Sequence, residues 1–482
     1  MSAPGTPLCR AALPTLPART RPLVDPADLR PGTAHLGYGA FHRAHQAVYT
    51  ERAAQLTGRP AGTVVVVPRS AATAAALRAQ DGLCSVGEVG PEGTTTRVVA
   101  AVADVVLATE EPERRDAVLA DPAVATLTLT ITEAGYSRRA DGGLDTADPA
   151  IAADLAGGPV SAVGTVARAL AVRARGCAAP VAVVSCDNLA GNGPATRRVV
   201  TDFVAASRWA DADAVLAWID DAVTFPSTLV DQIVPAATDE VRRAAAAELG
   251  VVDELAVVAE PWRQWVVEDA FPGPRPAWHL AGAQLVPDVA PFQLTKLRLL
   301  NGAHSLLAYT GLAAGCTTVA DVLATTWGAD LVRGLAAEVA PTLPAGGPDP
   351  AGYAEALVGR FANPGTRHRL AQIGGDGSAK ARERWFAPLR ELRTAGRPAP
   401  VLETALAAWA NATRPAAGGQ LFGTTDPAAA DLASCWRPQR PTADVVAALL
   451  RVAGAPDLAD DADLTASVAH RLPAVAAGRV DP

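Results

Sequence analysis

Four short β-branched runs, Thr33 to Gly37, Thr63 to Val67, Thr126 to Thr132 and Val181 to Ser185, punctuate the first half of the chain. Each is closed by a turn or loop signal, and Ala-rich stretches separate them. Apolar runs alternating with helical segments are the pattern of a parallel sheet covered by helices. From about Pro291 the pattern changes: strand signals fade, and long Ala/Leu/Arg stretches are broken by Pro/Gly-rich loops at Pro341 to Pro350 and Ile373 to Gly377. The second half therefore reads as mostly helical. The boundary falls between the Pro/Gly-rich segment Phe271 to Pro276 and Pro291, and no repeat of solenoid period is present.

Composition narrows the classes of function. Over 482 residues, 49% are hydrophobic and 19% charged, which provides for a sizeable core and excludes a disordered or collagen-like chain. The formal net charge of −8, with no Lys/Arg run, argues against nucleic-acid and anionic-membrane partners. A small neutral or anionic substrate fits if the site itself is locally positive, with the chain a monomer or small homo-oligomer. Cys9, Cys84, Cys177, Cys186, Cys316 and Cys435 show no CxxC or Cys/His ligand spacing, so reduced thiols, no metal site and a cytoplasmic location are expected. Met1 to Pro31 has no apolar signal region, and the longest uncharged stretch, Asn301 to Ala320, carries Asn, His, Ser, Gly and Thr. Neither a signal peptide nor a membrane span is expected.

Forty of the forty-two Lys and Arg residues are arginine; the lysines are Lys296 and Lys380. A lysine that persists against such bias suits a position needing a compact ammonium able to exchange a proton near neutrality. Lys296 opens the segment Lys296-Leu-Arg-Leu-Leu-Asn301-Gly-Ala-His304, which draws one of five asparagines and one of seven histidines into nine residues. On an α-helix at about 100° per residue, His304 lies ~80° around the axis from Lys296 and Asn301 ~60° beyond it. Leu297, Leu299, Leu300, Leu306 and Leu307 make the rest of this helix apolar, so its polar arc is expected to face an internal cleft.

Three segments in the first half suit ligand binding. Thr33 to Gly37 leads into Gly37-x-Gly39 and a predicted helix, the order of a dinucleotide-binding turn, although His42 stands where a third glycine belongs. After the next strand come Arg69 and Ser70, where a carboxylate usually accepts ribose hydroxyls. Arg69 and Ser70 instead suit a 2′-phosphate and tilt the reading toward NADP. After Val181 to Ser185, the loop Cys186-Asp187-Asn188-Leu-Ala-Gly-Asn192-Gly193 offers an amide donor for a developing oxyanion, or an Asx turn.

With Lys-x-x-x-x-Asn-x-x-His in view, the chain resembles the polyol-specific long-chain dehydrogenases, the family of mannitol 2-dehydrogenase and fructuronate reductase. The similarity runs through His35 to Tyr49, Ala79-Gln-Asp-Gly-Leu, Thr132-Glu-Ala-Gly-Tyr136, Ser185-Cys-Asp-Asn and Phe225 to Thr238. It continues through Glu260-Pro-Trp-Arg-Gln-Trp-Val-Val-Glu-Asp, the Lys296 helix, Arg360-Phe-Ala-Asn-Pro364 and Asp376-Gly-Ser-Ala-Lys380. It implies an α/β chain: an N-terminal extension (1–30), a Rossmann-like dinucleotide-binding domain (31–285) and a mostly α-helical C-terminal domain (286–482), with the active site in the cleft between the last two.

The resemblance further implies Lys296 as general acid/base, Asn192 and Asn301 polarising the reacting oxygen, and His304 orienting Lys296 or binding substrate. Gly37, Gly39 and Phe41 would line the cofactor turn, with Arg69 and Ser70 beside it, and Asp231 and Lys380 would belong to the substrate pocket or its support. Cofactor is NAD or NADP, no metal is needed, and the substrate is a linear hexitol or aldonate and its keto partner. Arg367 to Lys380 looks most like the fructuronate reductase branch, its cations suited to a carboxylate. Ala134, Gln232 and Gln293 depart from the usual Lys, Arg and Glu. A non-catalytic sugar or dinucleotide sensor is the alternative, disfavoured by the complete Lys/Asn/Asn/His set.

Overall fold

The computed structural model describes residues 5–158, 160–366, 368–415 and 425–480. The chain divides into two compact units, Met1–Val289 and Ala290–Pro482. Among the described residues, twelve strands lie in the first: β1 Arg30–Leu36, β2 Ala61–Val67, β3 Leu83–Gly90, β4 Gly93–Ala100, β5 Val102–Leu107, β6 Thr126–Leu129, β7 Val181–Ser185, β8 Val223–Thr224, β9 Thr228–Asp231, β10 Val257–Ala259, β11 Gln264–Glu268 and β12 Gln284–Val286.

Six of them form one sheet in the order β5-β2-β1-β6-β7-β8, every neighbouring pair parallel. Their sequences are near-continuous apolar runs because both faces are covered. Val64 and Val66 enter one core cluster with Leu36, Leu127, Val183 and Phe203, whereas Val65 and Val67 enter another with Val86, Val99 and Leu107. The period-2 alternation of a strand thus divides a single run of valines between two layers. Strand order reverses between β1 and β6, the switch point at which open α/β sheets gather ligands.

Two three-stranded sheets, β10-β3-β4 and β12-β11-β9, accompany the main one. The N-terminal residues also belong to this unit: Leu8, Ala12 and Leu16 pack with Leu83, Val98 and Val251.

The second unit is helical. Its centre is a pair of helices, Gly302–Ala313 and Pro400–Ala412, that are buried almost all round, the former from Gly302 to Gly311 and the latter from Val401 to Ala412. A helix buried on nearly every side belongs inside a core rather than at its surface. Among the described residues no helix is long and apolar enough to cross a membrane.

Candidate active site

The helix carrying Lys296 is not α-helical throughout. Ala290–Thr295 is α, Lys296–Asn301 forms a π turn, and Gly302–Ala313 returns to α. A π turn bonds residue i to i+5, so Asn301 stacks over Lys296 much as i+4 does in an α-helix, about 45° away. Three further α residues return His304 to within about 20° of Lys296. The arc holding the three side chains contracts from about 140° in a uniform α-helix to about 60°. Lys296 and Asn301 are partly exposed, while Arg298, Leu299 and Leu300 between them are buried.

A wide turn disturbs the ladder of carbonyls behind it, and side chains supply donors. Arg384 Nη1 donates to the Asn301 carbonyl at 3.0 Å and to Ser305 Oγ at 2.7 Å, and Trp385 Nε1 donates to the Gly302 carbonyl at 3.3 Å. Both come from a second π turn, Arg382–Phe386. Arg298 anchors the other side, making a two-pronged pair with Glu391 at 2.8 and 2.6 Å and donating to the Thr342 carbonyl.

His304 stacks on Phe361 with centroids 4.4 Å apart and meets His368 edge-on at 5.0 Å. Burial, then the charges of His368, Arg360, Arg384 and Lys296, push its imidazole well below the ordinary value, so the ring is neutral at pH 7. Its Nε2 is buried with no hydrogen-bond partner among the described residues. A buried polar atom left unpaired in the protein itself suits a ligand hydroxyl. Lys380 lies in the same unit, but its ammonium donates to the Ile373 carbonyl at 3.0 Å, and burial, then Arg384, lowers its pKa. That bond ties the helix Gly377–Ala381 back to the end of Leu370–Ile373. Arg367 lies outside the described residues.

In the first unit, Gly37 follows β1 at φ +113°, and a Cβ there would collide with the Thr130 carbonyl, so the chain's own backbone requires glycine. At Gly39 nothing lies within 4 Å of where a Cβ would sit. That open cradle beside a tight turn fits the close approach of a dinucleotide phosphate. The predicted helix is broken: Ala40–Ala44 and Gln46–Thr57 meet at His45, and Phe41 stacks on the His45 ring at 4.8 Å.

Ser70 is the N-cap of Ala71–Ala79, its Oγ accepting from the Thr73 N–H at 3.2 Å and pairing with Thr73 Oγ1, while Arg69 before it is exposed. Asn192 is fully buried, and its amide faces the carbonyls of Ser185, Asp187 and Thr228 and the Thr228 hydroxyl at 3.0–3.2 Å. Its Oδ1 accepts from the Thr228 N–H at 2.8 Å. The carboxamide thus joins β7 to β9. Asp231 closes β9 and is 7% exposed.

Asp187, Tyr136, Thr132 and Arg384 were given no role from sequence. The first three lie in Thr132-Glu-Ala-Gly-Tyr136 and Ser185-Cys-Asp-Asn, and only the fold brings them together: the Asp187 carboxylate accepts from the N–H groups of Ile131 and Thr132 and from the Tyr136 hydroxyl.

Residues 31–280 match the mannitol dehydrogenase Rossmann domain, and residues 288–476 match the mannitol dehydrogenase C-terminal domain. The chain belongs to the mannitol dehydrogenase family. Within it, the D-mannonate oxidoreductase of Escherichia coli (strain K12) is 37% identical over 462 residues, spanning 93% of this chain and 94% of that one. Among solved structures, a D-sorbitol dehydrogenase in substrate-free form superposes with a TM-score of 0.88 at 29% identity, covering 98% of this chain and all of the other. The Pseudomonas fluorescens mannitol 2-dehydrogenase, solved as a ternary complex with NAD and D-mannitol, gives 0.75 at 32% identity over 97% of this chain and all of that one. Against the usual mannitol dehydrogenase pattern, Gln232 is buried and donates to the Glu260 carbonyl at 3.1 Å, while Ala134 is exposed.

Proposed function

We propose that this chain is a cytoplasmic NAD(P)-dependent oxidoreductase that interconverts a linear polyol or aldonate with its keto sugar, D-mannonate with D-fructuronate first and D-mannitol with D-fructose second. The observation that carries the reading is the π turn at Lys296–Asn301, which gathers a rare lysine, an amide and a neutral imidazole onto one narrow arc. The mannonate branch is favoured by the near full-length match to a D-mannonate oxidoreductase.

The residues that would hold the dinucleotide are Gly37, Gly39 and Phe41, with Arg69 beside the adenosine ribose. When bound, the nicotinamide supplies the acceptor or donor of the hydride. In oxidation the uncharged Lys296 amine removes the proton from the substrate hydroxyl; in reduction its ammonium returns that proton to the carbonyl oxygen. The Asn301 amide donates to the same oxygen as charge develops on it. The neutral His304 ring offers Nε2 to a neighbouring hydroxyl and cannot compete with Lys296 as an acid. Oxidation is therefore favoured on the alkaline side and reduction on the acid side.

Steady-state turnover with mannonate, fructuronate, mannitol, fructose and other hexitols, each with NAD(H) and NADP(H), tests the assignment. The expected result is highest kcat/KM on the mannonate–fructuronate pair. Activity on hexitols alone would move the chain to the polyol branch, and no turnover with any of them would remove the reading.

A further inference from the structure

Thr132 stands at φ +65° and ψ 160°, backbone space essentially reserved for glycine. It is β-branched and exposed, so no packing of its own side chain accounts for the conformation. What holds it is Asp187. Oδ1 accepts from the Thr132 N–H at 2.9 Å, and Oδ2 accepts from the Ile131 N–H at 3.1 Å and the Tyr136 hydroxyl at 2.8 Å. Tyr136 is fully buried and also pairs with Ser185 Oγ. The backbone carbonyl of Asp187 is gripped in turn by the Asn192 amide at 3.1 Å. Burial pushes the Asp187 carboxyl above its ordinary value against these hydrogen bonds, so this carboxylate is costly to place here.

The strained residue sits at a particular point of the sheet. It follows β6, beside β1, where strand order reverses. Two residues earlier, Thr130 provides the carbonyl that forces glycine at 37, and its hydroxyl pairs with His35 Nε2 at 2.8 Å. The loop after β6 and the glycine turn after β1 are thus one polar assembly, clamped from β7 by Asp187. Strain of this kind persists where the surroundings over-determine it.

We propose that Thr132 is a positioning residue for the nicotinamide half of the dinucleotide, held in its strained conformation by Asp187. The proposal rests on the reading that the dinucleotide lies along the Gly37 turn. Relief of the strain then trades function for stability.

Thr132→Gly tests this in the full-length chain. The expected melting temperature is unchanged or raised by about 2–4 °C. NADH affinity, read by fluorescence titration, stays within about threefold, while kcat falls about tenfold or more as the ring loses its alignment. The deuterium isotope effect with C4-deuterated NADH rises, because hydride transfer becomes slower than the steps around it. Asp187→Asn, which sets an amide donor against a backbone N–H, is expected to lower kcat similarly. Tyr136→Phe, which removes only the hydroxyl, replaces it if Asp187→Asn does not fold. A kcat loss below about fivefold with an unchanged isotope effect in the folded variants overturns the proposal and leaves the dinucleotide reading intact. Wild-type protein that neither binds nor oxidises NADH overturns both.

Discussion

Arg384 donates to the carbonyl of Asn301 at 3.0 Å, one residue before the chain leaves its π turn for the α-helix that carries His304. The same nitrogen reaches Ser305 Oγ at 2.7 Å, so a single guanidinium braces both sides of the residue that faces the substrate oxygen in the proposed mechanism. Arg384→Met is expected to lower kcat by about ten- to a hundredfold, because a misplacement on the order of 1 Å is enough for that loss. NADH binding should hold, since the dinucleotide turn lies in the other unit. Rapid kinetics and titration on the same sample check both halves; equal kcat in a folded variant removes the bracing role.

The two asparagines should part company. Asn301→Ala is expected to reduce kcat by about 10²- to 10³-fold at near-normal thermal stability, as for loss of an oxyanion donor. Asn192→Ala empties a buried clamp that joins Ser185, Asp187 and Thr228, and should cost about 1–3 kcal/mol of stability. Denaturant titration alongside kinetics separates them. A fully stable Asn192→Ala protein with the larger kcat loss would reverse the assignment.

Ser70 caps a helix, which leaves Arg69 as the residue to test for cofactor choice. Both NADH and NADPH are expected to work with modest discrimination, and Arg69→Ala should weaken NADPH about tenfold while leaving NADH unchanged. A wild-type preference for NADH above about a thousandfold, more than ~4 kcal/mol, would leave Arg69 no phosphate to bind.

His42 gives a pH prediction. It is fully buried and stacks on His35 at 3.6 Å between centroids, and neither of its ring nitrogens has a partner among the described residues. Burial, then the charges of Arg43 and His45, pushes its pKa down to about 3. The unfolded imidazole titrates near 6.5, so between pH 6.5 and about 3 the unfolded state binds more protons and stability falls as pH falls. Burial also pushes the Glu338 carboxyl up to about 7, which acts with the opposite sign between about 4.5 and 7. The test is therefore a difference. Relative to wild type, His42→Phe should gain about 1.4 kcal/mol per pH unit below 6.5. Parallel stability curves would show that His42 does not resist protonation.

The parallel sheet was legible because burial on both faces leaves runs such as Val64 to Val67 with no polar alternation to confuse them. The two small sheets were not. Strands β3 and β4 carry Gly, Ser, Thr and Arg, and their pairing depends on contacts outside the local pattern. Strand β6 ends at Leu129 rather than Thr132 because Asp187, more than fifty residues on, captures the N–H groups of Ile131 and Thr132. Lys296 stands out through its rarity, but the π turn that it opens is met by donors from Arg384 and Trp385 far along the chain. The partners of Asn192 were hidden for the same reason: nothing local to an amide after a strand shows that Thr228 will meet it.

Lys296→Ala is the most direct measurement, with kcat and NADH affinity determined on one folded preparation. If Lys296 moves the proton, turnover falls by about two to four orders of magnitude while NADH binding stays near normal. Retention of most of the wild-type kcat by a folded Lys296→Ala protein would contradict the proposed mechanism.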